Sequence, residues 1–185
     1  MTTPAELTDK FWRAVHADRT MMVGLAGVDD GHMRPMTAVT EGERGPIWLF
    51  TSQQASLVTQ LDIDTRAIAS FVDKGHNLFA TIHGRLVISN DPEVIDRLWN
   101  PMIAAWYAGG RQDPDLTLLR FEAEDAEIWL SETGLLAGLK MLFGKDPKAD
   151  YADKVATVKL DWLASPARGE PARRPWRAGE GGVLR

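Results

Sequence analysis

Leu78-Phe79-Ala80-Thr81-Ile82-His83-Gly84-Arg85-Leu86-Val87-Ile88-Ser89 is the stretch whose reading decides the fold. Side chains alternate across a strand, so Ala80, Ile82 and Gly84 fall on one face of it. The stretch predicts a long β-strand. Before it, Asp73-Lys74-Gly75-His76-Asn77 has turn chemistry, and Thr65 to Val72 reads as the preceding strand. After it, Asn90-Asp91-Pro92 opens a helix, with Pro92 near the first helical position and Glu93 in the first turn. That helix buries Val94, Ile95, Leu98 and Trp99.

Further towards the N-terminus, Ile47-Trp48-Leu49-Phe50-Thr51 is a strand, and Ser52 or Gln53 begins a helix carrying Leu57, Val58 and Leu61. Met21 to Ala26 and His32 to Thr40 are expected to pair as a β-hairpin across Gly27-Val28-Asp29-Asp30-Gly31. A first helix, capped by Thr8 or Asp9, presents Phe11, Trp12 and Val15. Towards the C-terminus, the aromatic stretch Asn100 to Tyr107 runs into a loop, Gly109 to Asp115. Thr117 to Glu122 and Ala126 to Ser131 read as two further strands. Leu135 to Phe143 is a short apolar helix or turn, and Tyr151 to Leu160 is a strand or a helix. The order is rich in strands and lacks the regular alternation of a doubly wound sheet. It predicts a mainly β domain with flanking helices, and closure into a barrel would protect the sheet edges.

The 185 residues, 44% of them hydrophobic, supply one core rather than two. A single domain is expected over 1–165. From Pro166 to Arg185 the chain is dominated by Pro, Gly, Ala and Arg and reads as a flexible tail with five Arg against two Glu. A net charge of -5 argues against nucleic acid as a partner, and no apolar run approaches a membrane span. The N-terminal residues do not read as a secretory signal. The absence of Cys removes disulfide and thiolate chemistry and is consistent with the cytoplasm.

No strong catalytic motif stands in the chain: no dinucleotide fingerprint, no phosphate loop, no nucleophile elbow. His16, His32, His76 and His83 lack metal-site spacing, and no metal is expected. Arg34, beside Pro35 and a Gly-rich turn, is suited to gripping a phosphate through a charge-assisted fork, or else lies over apolar neighbours as an exposed strand residue. Thr51 and Ser52, where a strand gives way to a helix, are either anion ligands or an ordinary helix cap. Trp48, Trp99 and Trp129 suit a core or an interface, whereas Trp106, ahead of the Gly-rich loop, suits a cleft wall. Glu122 and Glu124 read as solvent-facing strand ends.

Four segments carry a resemblance. They are His32-Met33-Arg34-Pro35-Met36; Ile47-Trp48-Leu49-Phe50-Thr51 with the helix through Leu61; Ala80-Thr81-Ile82-His83-Gly84-Arg85-Leu86; and Leu98-Trp99-Asn100-Pro101 through Ala105-Trp106-Tyr107-Ala108-Gly109-Gly110 and Asp113-Pro114-Asp115-Leu116 to Trp129. In order and spacing, Lys10 to Trp129 resembles the general stress protein 26-like branch of the pyridoxamine 5'-phosphate oxidase-like superfamily. The resemblance implies an FMN-binding split β-barrel and a homodimer with two flavin sites at the subunit interface. It implies that Arg34 helps hold the phosphate or flavin edge, with Met33, Pro35 and Met36 near the ring. Phe50, Thr51 and Ser52 would lie beside the cofactor, and Trp106 would approach from the partner subunit. The activity implied is that of a flavin-dependent oxidoreductase with an unassigned substrate and electron donor. Alternatives are a noncatalytic flavin-binding or redox-sensing stress protein and a cofactor-free structural dimer. FAD is a weaker expectation than FMN, since no separate adenine site is visible. The chain departs from its relatives at Ala55-Ser56-Leu57, where many carry a Ser-x-Lys-like pair whose Lys neutralises phosphate.

Overall fold

The computed structural model describes residues 3–28, 32–62, 65–131 and 155–160. Helix α1 (Pro4–Asp18) begins four residues or more ahead of the expected caps. Its cap is Thr3, whose hydroxyl accepts from the Glu6 backbone N–H while the Glu6 carboxylate accepts from the Thr3 N–H. This reciprocal pair, with Pro4 at the first helical position, outcompetes Thr8; the Thr8 hydroxyl instead donates to the Pro4 carbonyl inside the helix. Leu7, Phe11, Trp12 and Val15 form one buried face of α1.

Among the described residues eight strands follow: β1 (Thr20–Leu25), β2 (Arg34–Thr37), β3 (Val39–Thr40), β4 (Ile47–Ser52), β5 (Thr65–Val72), β6 (Leu78–Ile88), β7 (Leu116–Leu130) and β8 (Val155–Lys159). They form one sheet in the order β2-β1-β5-β6-β7-β4-β3, with β8 also on β7. The observed pairings are antiparallel. The outermost strands in this order, β2 and β3, are separated in the chain by Ala38 alone, which brings the sheet round to near closure. The expected strand from His32 to Thr40 is therefore two short strands, and the Ala38 N–H leaves the sheet to donate to the Arg19 carbonyl.

The stretch Leu78–Ile88 is one strand, paired to β5 on one side and β7 on the other. The two strands expected between Thr117 and Ser131 are a single strand, β7. Its charged middle is absorbed by a shift in register at His83/Gly84, which leaves Glu124 without a partner across the ladder. A Cβ at Gly84 would overlap the Glu122 carbonyl oxygen, so the close approach of β6 and β7 here requires glycine. Glu122 and Glu124 are not solvent-facing strand ends. Arg85 Nε donates to Glu124 Oε1 at 2.8 Å, and Arg120 pairs with Glu122 at 2.7 Å. The same edge of β7 serves two strands: β4 along Leu116–Phe121 and β8 along Asp125–Trp129. The barrel splits between them.

The main core fills the barrel. Phe11 and Trp12 from α1 meet Met21, Phe71, Ile82, Phe121, Ile128 and Val158, among others, with Phe11 set edge-on to Phe71. Full burial of each large apolar side chain contributes roughly 1.5–3 kcal/mol. A second, smaller cluster lies outside β4 and β7. It packs Trp48, Leu116 and Leu118 against helix α3 (Pro92–Leu98), helix α4 (Pro101–Ala104) and Tyr107. Trp48 and Trp99 serve this cluster, and Trp129 is half-buried on β7. Tyr151 to Leu160 contains strand β8. Leu135 to Phe143 and the tail 166–185 lie outside the described residues. No described helix is long and apolar enough to cross a membrane.

Candidate functional site

A cleft of about 390 Å³ opens between β2–β3, the end of β4 and the segment that runs from α4. Pro35, Met36, Thr37 and Val39 form one wall. Phe50, Thr51 and Ser52 form the floor, with Asp115 beside Ser52. Met102, Ile103, Trp106 and Tyr107 form the other wall. Trp106 is 81% exposed and Met102 67%, an apolar lip on a segment anchored by the buried Ile103 and Tyr107.

The far wall is pinned from beneath. The Asn100 carboxamide oxygen accepts from the Met102 and Ile103 N–H groups and caps the short helix α4. The Tyr107 hydroxyl donates to the Thr51 carbonyl at 3.0 Å, tying this wall to the floor. Trp99 lies against Phe50 and Tyr107, with ring centroids 6.4 and 6.3 Å apart, and the Arg111 guanidinium covers Trp99. Burial, reinforced by Asp115 and Asp113, pushes the Tyr107 hydroxyl up to about 12, so it remains a donor at neutral pH.

The loop Gly109–Asp115 closes the end of the cleft. The Asp113 carboxylate accepts from the Gly109 and Asp115 N–H groups, and these bonds hold its pKa below the ordinary value. The Ser52 hydroxyl donates to Asp115 Oδ1 at 2.6 Å and accepts from the Gln54 N–H, while the Gln53 N–H donates to the Asp115 carbonyl. Thr51 and Ser52 are thus strand residues, Ser52 bonded into the loop and Thr51 to Tyr107, and neither starts a helix. The helix expected there is only α2 (Ser56–Thr59), with Ala55 at its cap position and no side-chain cap.

Of the sequence-expected site residues, the structure brings Pro35, Met36, Phe50, Thr51, Ser52 and Trp106 to one cleft. Met33 and Arg34 stand outside the lining. The Met33 side chain lies over Gly24 of β1, and Arg34, opposite Val23, donates to the His32 carbonyl. Trp106 lies on the cleft of its own chain. Tyr107, Met102 and Asp115 were not singled out from sequence. The Trp-Tyr pair and the Asp-Pro-Asp turn held the signal for two of them, since a Tyr hydroxyl and a turn carboxylate seek backbone partners.

Leu57, where the family resemblance implies a Lys in many relatives, is 1% exposed and belongs to the main core. Among the described residues no Lys or Arg lines the cleft, and Asp115 is the one carboxylate there. Arg66 sits on β5 opposite Arg85, away from this lining. His83 is held by Asp125 at 3.1 Å on the sheet. Among the described residues no three His, Asp or Glu side chains gather as a metal site.

Barrel, split and cleft together define the fold class as the FMN-binding split β-barrel. A family model described as pyridoxamine 5'-phosphate oxidase like matches residues 6–149, and the chain belongs to that family, in its general stress protein 26-like branch. A general stress family protein from Xanthomonas campestris pv. campestris is 56% identical, with 75% of this chain and 96% of that one covered and a TM-score of 0.70. A general stress FMN/FAD binding protein from Xanthomonas citri is also 56% identical, covering 72% of this chain and 95% of that one at a TM-score of 0.68. A general stress protein 26 from Jannaschia sp. CCS1 is 31% identical over 85% of this chain and 99% of its own, with a TM-score of 0.68. No curated protein matches the chain significantly.

Proposed function

We propose that this chain binds FMN in the cleft and acts, as a homodimer, as a flavin-dependent oxidoreductase of the general stress class, with a small-molecule substrate or electron donor. The observation that carries the reading is the cleft itself. Six residues assigned to a flavin from family resemblance line one apolar hollow of about 390 Å³, within the range of small-molecule sites. The 56% identical relative from Xanthomonas citri is described as FMN/FAD binding, which supports the same ligand class here.

The residues present suit the ring system. Met36, Phe50 and Trp106 offer apolar and aromatic surface, and the Thr51 and Ser52 hydroxyls offer polar contacts at the floor. The phosphate is the more demanding group. Leu57 cannot neutralise it from the core, and Asp115 repels it. Arg34, adjacent to the lining residue Pro35, is the cation assigned to it, and a second chain docked over the Trp106 lip would supply further contacts. A bound flavin supplies redox chemistry; the residues of this chain orient it, shield it from water and tune its polarity.

Titration of flavin-stripped protein with FMN, with mass and stoichiometry from light scattering, tests this reading. Saturable binding at micromolar Kd or tighter, about one FMN per chain on a dimer, is the expected result. A dimer without saturable binding would favour the second reading, a cofactor-free structural dimer. The burial of Leu57 and the lack of a lining cation are the observations behind that second reading.

A further inference from the structure

We propose that the hollow between the C-terminal end of α1 and the C-terminal end of α3 is a second binding site, one for a small oxyanion. It has a volume of about 410 Å³ and is lined by His16, Arg19, Thr40 and Arg97, among others, with Val39 the only residue it shares with the flavin cleft. Two independent features of the chain converge there.

The first is Arg19. It is the C-cap of α1 and adopts the left-handed conformation, with φ of 54°. That position ordinarily falls to Gly or Asn, because a larger side chain costs free energy there. Its backbone contacts would be made equally by glycine: the N–H donates to the Val15 carbonyl, and the carbonyl accepts from Ala38. The Arg19 side chain uses Nε alone, donating to the His16 carbonyl. Its Nη groups have no partner among the described residues. A strained arginine whose fork is left unused is one whose side chain serves something other than the fold.

The second is Arg97, on the far side of the hollow. Its Nε donates to Glu41 Oε1 at 2.9 Å, which fixes the guanidinium and leaves the Nη pair unclaimed. Asp91 and Glu93 also act on Arg97 at longer range. The carbonyl of His16, near the negative end of the α1 dipole, is already covered by Arg19 Nε. His16 completes the floor; its Nε2 is buried and has no hydrogen-bond partner. Arg19 and Arg97 both line this one hollow, and guanidinium forks suit a phosphate monoester or a carboxylate. Glu41 is then an internal competitor for Arg97.

Calorimetric titration of the full chain with inorganic phosphate at constant ionic strength, with acetate as the comparator, tests the site. One phosphate or acetate per chain is expected to bind saturably, and the tighter of the two identifies the ligand class. Arg19→Gly removes the fork and relieves the backbone, so it should raise or preserve Tm while weakening binding about tenfold or more. Arg97→Gln should weaken binding to a similar degree, and Glu41→Gln should tighten it. Absence of saturable binding by either anion to the wild type, or affinity unchanged in Arg19→Gly or Arg97→Gln, would overturn the proposal.

Discussion

At the scale of single residues, charge and hydrogen-bond supply decide what the cleft can hold. Arg34 is the cation proposed for a flavin phosphate, so Arg34→Ala is expected to weaken FMN binding about tenfold while leaving the fold intact. Unchanged affinity in a flavin titration would transfer that role elsewhere. Tyr107 makes a different kind of prediction. Below about pH 10 it is protonated in folded and unfolded chains alike and adds no pH dependence. Its ordinary value is 10.0, and burial in the fold pushes it up to about 12. Between those values the folded chain holds a proton that the unfolded chain has released, so stability falls as pH rises, by on the order of 2–3 kcal/mol across the window. Tyr107→Phe removes this fall. Urea unfolding near pH 9 should find the variant about 1 kcal/mol less stable, through loss of the bond to Thr51. The gap should close or reverse towards pH 12; a constant gap would mean that the hydroxyl does not titrate as argued. Leu57 could be read from sequence as a departure from its relatives, because a missing Lys is visible as a letter. That its side chain lies in the core agrees with its place beside Val58 and Leu61 on the apolar side of the expected helix.

At the scale of elements, the sequence was most legible where alternation was uninterrupted. β5 and β6 follow their apolar periodicity closely, with every second residue buried. Legibility failed where polar residues had partners within the sheet. Glu122, Glu124 and Asp125 look like a break between two strands, yet Arg120, Arg85 and His83 meet them, and the bulge lets one strand continue. The start of α1 was present in the sequence as Thr3-Pro4-Ala5-Glu6, a capping box with proline, but the apolar face read from Phe11, Trp12 and Val15 set the expected cap further in. The helix after β4 shrank because Ser52 is held by Asp115, sixty-three positions away, and no local pattern reveals that. The bulge itself is testable. Gly84→Ala places a methyl group against the Glu122 carbonyl, and β6 and β7 must separate to admit it. A loss of about 2–4 kcal/mol is expected in denaturant unfolding, whereas Gly27→Ala, where the added methyl meets nothing, should report only the cost of a positive φ. Equal losses at the two positions would show that crowding at the bulge is not the cause.

At the scale of the whole molecule, β8 is the last described strand and it completes the sheet. The sheet is split because β7 carries β4 on one part of its free edge and β8 on another. Val158 and Leu160 are 3% and 4% exposed and belong to the main core, so β8 also closes the barrel over α1. A chain stopped after Ser165 keeps all of this and loses only the Pro-, Gly- and Arg-rich segment 166–185, which has little apolar surface to contribute. It should match the full chain in Tm and in FMN affinity. A chain stopped after Ser131 loses β8. The edge of β7 from Asp125 to Trp129 is then unpaired, and Ala126 and Ile128 lose the neighbours that bury them. An open apolar edge of this kind favours pairing between molecules. This shorter chain should unfold many degrees lower and aggregate on concentration, as followed by calorimetry and light scattering. If both truncated chains behaved like the full one, β8 would be an accessory strand and the core would be closed without it. If the longer truncation also lost stability or its oligomeric state, the basic segment would have a structural partner, and the domain would extend past 165.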